Sequence, residues 1–155
     1  MDRKTKLNAE DGKHDLVITR EFDLPVDLLF KAHTESHLIE QWMGTKVLKL
    51  EAKKHGGWQY QTSDQKGNVV MQANGVFHEF ETNDRIIRTF EMENTPFPVQ
   101  LEFLEFKAMT ENTSKLIMQI VYRSVEDRDN MLKLPFAQGI NMAHNRLEEI
   151  VSKLK

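Results

Sequence analysis

The feature that most constrains the fold is a series of short segments between Lys46 and Tyr122, separated from one another by turn signals. Several of these segments alternate apolar and polar residues, which is typical of strands with one buried face. The turn signals are "HGG", "SDQKGN", "ETND", "NTPFP" and "TENTS". This spacing predicts an antiparallel meander of six strands, over 46–53, 57–62, 69–80, 85–93, 98–107 and 115–122.

The apolar faces of these strands need a cover, because a one-sided sheet must bury its apolar face against another element. The last segment of the chain can supply it, since at helical spacing it places on one stripe Phe136, Ile140, Ala143, Leu147, Ile150, Val151 and Leu154. A helix over 136–154, ~19 residues long, spans ~28 Å. Ser124 and Asp127 resemble the capping box of a short preceding helix, which Pro135 ends.

The first part of the chain predicts one more strand and two short helices. Residues 15–22 alternate as a strand does, and Pro25 then favours a helix start. Thr34 can cap a second short helix, which carries Trp42. Residues 1–13 are polar without periodicity, so we expect a flexible N-terminal arm followed by a single domain over 14–155.

The composition narrows the class of function. The chain of 155 residues has a formal net charge of -3, and its lysines and glutamates are interleaved, so it lacks the basic face that a nucleic acid partner needs. It contains no cysteine, which excludes disulfides and thiolate chemistry, and no apolar run is long enough to span a membrane. The charged start lacks the apolar run of a signal peptide, so we expect a cytoplasmic protein.

Several stretches together resemble a known family. They are "REFDLPVDLLFKAHTESHLIEQW", "GGWQY", "GVFHEF", "RIIRTF", "SVEDRDNM" and "GINMAHNRLEEI". In this order they are similar to the family named for the activator of the ninety-kilodalton heat-shock protein's ATPase. That family belongs to the helix-grip superfamily, with lipid-transfer domains, birch-pollen-allergen-like proteins and polyketide cyclases. The resemblance begins at about Asp15 and covers nearly all of the remaining chain.

The resemblance implies an α+β helix-grip fold. A curved antiparallel sheet of about seven strands would wrap around a long C-terminal helix, with two short helices after the first strand. A cavity for an apolar ligand would lie between sheet and helix, and Trp42 would close one end of it. The sequence departs from the family pattern at His33 and Met43, where tryptophan is common, and at Thr45, where proline is common.

The candidate ligand-binding residues are large apolar and aromatic side chains on the predicted strands and helices, together with small or polar neighbours on the last helix. They are Trp42, Trp58, Tyr60, Met71, Phe90, Phe103, Met118, Tyr122, Phe136, Ile140, Ala143, His144 and Leu147. A domain of this size buries such side chains in any case, so each of them is also a candidate for the core. In this fold the wall of the cavity is part of the core.

The charged and metal-binding candidates are few. Arg20, Arg88 and Glu105 share strand parity with inward apolar residues, so they are candidates for polar groups in the cavity. A bulge or twist could instead turn each toward solvent, and Arg88 with Glu105 could form a structural ion pair. His33 and His37 have the spacing of a zinc-binding helix, but a helix boundary at Thr34 would point their rings apart. We expect no metal and no cofactor.

Three functions remain open from the sequence. The first is a protein that binds a small apolar or aromatic molecule. The second is an enzyme of the cyclase or hydrolase type, for which His144, Tyr60, Tyr122 and Glu105 are the possible acids or bases. The third follows the family name: stimulation of a chaperone ATPase through a protein surface, in a stress response. A homodimer is also possible.

Overall fold

The computed structural model describes residues 4–155, and in this range it contains eight strands and four helices. The strands are β1 (Lys6–Asn8), β2 (Asp15–Phe22), β3 (Lys46–Leu50), β4 (Gly57–Ser63), β5 (Val69–Glu81), β6 (Arg85–Met92), β7 (Gln100–Ala108) and β8 (Ser114–Val121). The helices are α1 (Val26–Thr34), α2 (Ser36–Met43), α3 (Val125–Leu132) and α4 (Phe136–Ser152).

All strands belong to one curved antiparallel sheet with the order β1-β2-β8-β7-β6-β5-β4-β3. Strands β3 to β8 form the meander that the turn signals predicted, because each pairs with the next along the chain. Strand β2 adds to β8 and so brings the beginning of the chain beside its last strand. The predicted α+β class and the two short helices after the first predicted strand are confirmed.

The N-terminal segment differs from the prediction. Lys6–Asn8 pairs with 17–19 of β2 and adds an eighth strand. Its three residues, "KLN", are too few to show the alternation that identifies a strand in the sequence. Arg128, buried in α3, donates hydrogen bonds to the carbonyl oxygens of Glu10 (2.6 Å) and Asp15 (3.1 Å). The segment is therefore held against the domain from β1 onward. Residues 1–3 of the predicted arm lie outside the described part of the chain.

Helix α4 packs on the same side of the sheet as α1 and α2. Its buried residues are His144, Leu147 and Val151, and the last two join the main core cluster. The predicted stripe is too long at its end, because the helix stops at Ser152 and Leu154 is 53% exposed. In the described part of the chain, no helix is both long and apolar enough to cross a membrane.

The helix ends follow the sequence in part. The Ser124 hydroxyl accepts a hydrogen bond from the Asp127 amide at 3.1 Å, as the predicted capping box requires. The prediction for Thr34 is wrong: this residue ends α1, where its hydroxyl donates to the Phe30 carbonyl, and Glu35 takes the cap position of α2. A threonine in the last turn of a helix bonds back to its own backbone.

Candidate functional site

A cavity of about 470 Å³ lies between the sheet and α4. Strands β2 and β4 to β8 form its floor, and the four helices form the rest of its wall together with the α3–α4 connection. Nine of the residues named from the sequence line it: Trp42, Tyr60, Met71, Phe90, Met118, Phe136, Ile140, Ala143 and His144.

A hydrogen bond to the preceding helix and the end of α2 fix the position of Trp42. The indole Nε1 donates to the Ala32 carbonyl at 2.7 Å, which ties α2 to α1 and satisfies the polar atom of a buried aromatic ring. Gly44 then ends α2 in the left-handed region, at φ 63°. This short two-helix unit therefore presents the Trp42 ring to the cavity, where the resemblance expected an aromatic residue.

The other four named residues lie outside the cavity wall. Trp58 is buried beneath it, with its ring centroid 4.6 Å from that of Tyr60 and 5.6 Å from that of Phe90. Leu147 is fully buried in the main core, and Tyr122 belongs to a second core cluster. These three side chains support the wall without reaching the cavity.

Phe103, the fourth, shows that the strand parity taken from the sequence is wrong on β7. The buried positions of this strand are Gln100, Glu102, Leu104 and Phe106, so Phe103 lies on the other face. Glu105 is exposed on that same face, 3.9 Å from the Lys107 ammonium. Both parities of "QLEFLEFKA" carry apolar residues, but only the outward one ends in two charges, and this signal could have identified Glu102 instead.

A polar cluster of Arg88, Gln100 and Glu102 interrupts the apolar wall. Arg88 on β6 and Glu102 on β7 are direct cross-strand partners, and Arg88 Nε donates to Glu102 Oε1 at 2.8 Å. Gln100 Nε2 donates to the other oxygen, Oε2, at 2.7 Å. Burial alone disfavours the arginine cation, but the charge and hydrogen bond of Glu102, with a contribution from Tyr60, together outweigh this effect and raise the pKa of Arg88. The cluster is thus a buried, hydrogen-bonded ion pair.

Two aromatic residues complete the polar end of the cavity. The Arg88 guanidinium lies 5.3 Å from the Trp58 ring centroid, a distance at which the ring face attracts the cation. Tyr60 lines the cavity nearby, and burial raises the pKa of its hydroxyl, with Arg88 opposing and Glu102 adding to the shift. The phenol therefore stays protonated at neutral pH and can donate a hydrogen bond.

Two histidines lie on either side of Trp42 in the cavity wall. The ring centroids of His33 and His144 are 5.3 and 6.2 Å from the Trp42 ring. Because the Leu29 carbonyl, 2.9 Å from His33 Nδ1, can only accept, the proton of neutral His33 is on Nδ1 and Nε2 is an acceptor. The sequence analysis did not name His33 as a wall residue.

Burial lowers the pKa of both histidines, to about 4 for His33 and to about 3 for His144. The His144 Nδ1 atom lies 2.8 Å from the hydroxyl of Thr5, the residue before β1, so this segment contributes to the position of the ring. His37 is exposed and far from this arrangement, and residues 4–155 contain no cluster of three or more metal-ligating side chains. Both wall histidines are neutral at pH 7.

Arg20 is inward and buried but lies outside the cavity wall. Its Nη1 donates to Asn145 Oδ1 at 2.7 Å and its Nη2 to Glu148 Oε2 at 3.2 Å, both on α4. The guanidinium also lies 5.1 Å from the Phe22 ring centroid. Arg20 therefore fastens the polar flank of α4 to β2, a contact that the helical stripe did not predict.

A comparison with known protein families identifies the family of this chain. Residues 23–152 match the sequence profile of the family described as "Activator of Hsp90 ATPase homolog 1-like protein". The chain belongs to this family. No curated protein sequence matches it.

Solved structures from several bacteria share the fold of this family member. A Rhodobacter sphaeroides protein is 20% identical with a TM-score of 0.82, over 97% of this chain and 100% of its own. An Arthrobacter aurescens protein is 15% identical with a TM-score of 0.84, over 96% and 91%. A Nitrosomonas europaea protein is 20% identical with a TM-score of 0.79, over 96% and 100%. At these identities the likeness establishes the helix-grip fold alone.

His33 and Met43, the two positions at which the resemblance leads one to expect tryptophan, both line the cavity of this family member. His33 packs against Trp42 and Phe106, with both ring centroids at 5.3 Å. Met43 packs against the main core from the end of α2. The side chains at these two positions, which are smaller than tryptophan, therefore form part of the wall of the cavity.

Proposed function

We propose that the protein binds a small apolar or aromatic molecule in the cavity between the sheet and α4. The observation that carries the proposal is the cavity, because its volume of about 470 Å³ lies within the range of small-molecule sites and its wall is mostly apolar. Protein interiors are otherwise close-packed, and side chains around a void lose contacts that a ligand can restore.

The composition of the wall fits a ligand of this class. Five of the eight methionines in the sequence line the cavity: Met43, Met71, Met92, Met118 and Met131. Methionine side chains are unbranched and polarizable, so they adapt to ligands of different shapes and contact aromatic rings favourably. A wall of this kind favours apolar bodies over strongly hydrated ones.

A thermal-shift screen with a matched pair of variants tests the proposal. The ligands are aromatic polyketides, flavonoids, fatty acids and sterols. A ligand that prefers the folded state raises Tm with concentration. Ile140→Trp fills the cavity from α4, whereas Met142→Trp adds the same ring to a position of α4 that is 52% exposed. We expect the shift to vanish in Ile140→Trp and to persist in Met142→Trp, with circular dichroism showing that both fold.

A shift that is equal in both variants would place the binding elsewhere. The absence of any shift across the panel would contradict the proposal and favour a role for the protein surface.

The structure leaves fewer candidate acids and bases for the catalytic alternative than the sequence suggested. A general acid or base must reach the substrate directly or through one water molecule. Of the four nominees, Tyr60 and His144 line the cavity, whereas Tyr122 is buried outside it and Glu105 is on the opposite face. Turnover that survives replacement of both Tyr60 and His144 would contradict this alternative.

Four further expectations stay predictions: chaperone stimulation, a stress-response role, a homodimer and a cytoplasmic location.

A further inference from the structure

The polar cluster has hydrogen-bond donors that the protein does not use. A guanidinium carries five N–H donors, and that of Arg88 gives one of them, on Nε, to Glu102. Among the residues that the structure describes, no acceptor is found for its two terminal nitrogens. The Arg88 side chain nevertheless retains 12% exposure and borders the cavity. These N–H groups are therefore available to an acceptor atom of a bound molecule.

The charge of the polar cluster is already balanced. Glu102 is only 3% exposed, and both of its oxygens accept hydrogen bonds, one from Arg88 and one from Gln100. The two wall histidines are neutral at pH 7, and the Tyr60 phenol keeps its proton. A carboxylate in the cavity would therefore add an uncompensated negative charge beside a buried one, which is unfavourable in a low-dielectric interior.

The remaining cation of the cavity wall does not alter this balance. Arg146 is exposed, and its Nε donates to the Trp42 carbonyl at 3.1 Å, at the end of the cavity that α2 closes. Its charge is in contact with solvent, which screens it. Arg20 is paired with Glu148 outside the wall. Neither arginine offers a buried, unpaired positive charge to an anionic ligand.

A wholly apolar ligand would also be a poor match. It would displace water from the free N–H groups of Arg88 and from the Tyr60 hydroxyl without replacing those hydrogen bonds. Most of the rest of the wall, including Met71, Phe90 and Ile140, supplies apolar contacts, and the histidine rings beside Trp42 are neutral. The cavity therefore combines a large apolar surface with an electrically neutral polar cluster.

The geometry points to an uncharged amphipathic ligand: an aromatic or apolar body that carries a hydroxyl or carbonyl group, bound with that group at the polar cluster and the Tyr60 hydroxyl. This inference rests on the proposed function and specifies its ligand class. The ligand oxygen accepts hydrogen bonds from Arg88, and its body lies between the sheet and α4.

Three probes with one ring system test the inference: naphthalene, naphthol, and naphthoate substituted at the same carbon. Their affinities are measured by isothermal titration calorimetry at neutral pH, where naphthol is uncharged and naphthoate is an anion. We expect naphthol to bind at least about tenfold more tightly than either of the others. Naphthalene lacks the hydrogen bond to a charged donor, and naphthoate adds an uncompensated negative charge beside a buried one. This comparison uses the unaltered protein.

Two double variants test whether the polar cluster causes the preference for naphthol. Arg88→Met with Glu102→Leu removes the cluster as a neutral pair and leaves no buried charge behind. Arg85→Met with Glu105→Leu removes the same residue types from a cross-strand pair of the same two strands on the exposed face. We expect the preference for naphthol over naphthalene to disappear in the first double variant and to persist in the second.

The outcomes separate the two proposals. If naphthoate binds as tightly as naphthol, or naphthalene as tightly as both, the cavity binds ligands but the inference is wrong. If the preference for naphthol persists without Arg88 and Glu102, the polar cluster is not its origin and the inference is also wrong. If no probe binds at all, the proposed function fails together with the inference.

Discussion

Arg20 and Arg88 are arginines at inward positions of the same sheet, and their neighbours give them different roles. The Arg20 side chain is fully buried, and that of Arg88 is 12% exposed. Arg20 reaches out of the sheet to Asn145 and Glu148 and so fastens α4. Arg88 pairs within the sheet, with Glu102 on the next strand, and its remaining donors are left to the cavity. One side of the molecule is therefore closed by a contact between layers, whereas the other keeps space between them.

The comparison teaches where the binding site can form in this fold. Where a charged side chain of the sheet finds partners on the helix, the two layers are held together. Where it finds its partner within the sheet, the layers are free to stand apart and to enclose a ligand. The following variants test this difference.

We expect the largest effect from Arg88→Met. This change leaves Glu102 without its cation at 3% exposure, and breaking a buried pair on one side costs ~3–5 kcal/mol of the free energy of unfolding. Urea denaturation measures the loss. Adding Glu102→Leu should restore at least half of it, since the buried charge is then gone. A double variant as unstable as the single one would show that the pair has no such energetic role.

Arg20→Met should have a smaller effect. Its partner Glu148 is 23% exposed, so the carboxylate regains water when the arginine is lost, and we expect a loss of ~2–3 kcal/mol by the same measurement. Glu148→Gln, which keeps a hydrogen-bond acceptor, is the milder companion and should lose less. A loss greater than that of Arg88→Met would reverse the comparison.

The third effect is a dependence of stability on pH, which comes from the histidine near each arginine. Expressed per pH unit, it is the smallest of the three. Burial lowers the folded-state pKa to about 4 for His33, with a smaller contribution from Arg88, and to about 3 for His144, with smaller contributions from His33 and Arg20. The unfolded state therefore binds protons first. The stability that each neutral ring contributes is complete above its unfolded pKa of 6.5 and is lost as pH falls toward the folded pKa.

For each histidine the loss approaches ~1.4 kcal/mol per pH unit within that window. Urea denaturation between neutral pH and the acid limit should show the slope, and His33→Phe or His144→Phe should reduce it. The control variant is His37→Gln, because the His37 side chain is exposed and lies outside the cavity wall. A slope that is the same in all three variants would contradict the assignment of neutral, buried rings.

The sequence predicted the fold well where one period was dominant. Strand β2 alternates clearly, and its inward residues include Arg20 as expected. The centre of α4 also follows its apolar stripe. Strand β1 was missed because three residues carry no period, and β7 was placed with the wrong face inward because both of its parities are apolar. Period-based prediction depends on a contrast between faces, and these segments lack it.

The candidate site was predictable as a set of apolar residues but not as a polar arrangement. The two charges that end the outward face of β7 could have indicated that Glu102 is inward, but its pairing with Arg88 and Gln100 became visible only with the register. The sequence presented His33 as half of a possible metal-binding pair, whereas the structure places it in the cavity wall. Register and the spacing between layers arise from long-range packing, and a single sequence does not contain them in its local pattern.

Native mass spectrometry of the purified protein tests the central claim most directly, namely that the space between the sheet and α4 holds a small molecule. The unaltered protein and Met142→Trp should each carry an additional non-covalent mass, or acquire one from the ligand panel, and Ile140→Trp should carry none. An identical bound mass in all three proteins, or no bound mass in the unaltered one at saturating ligand, would contradict the account.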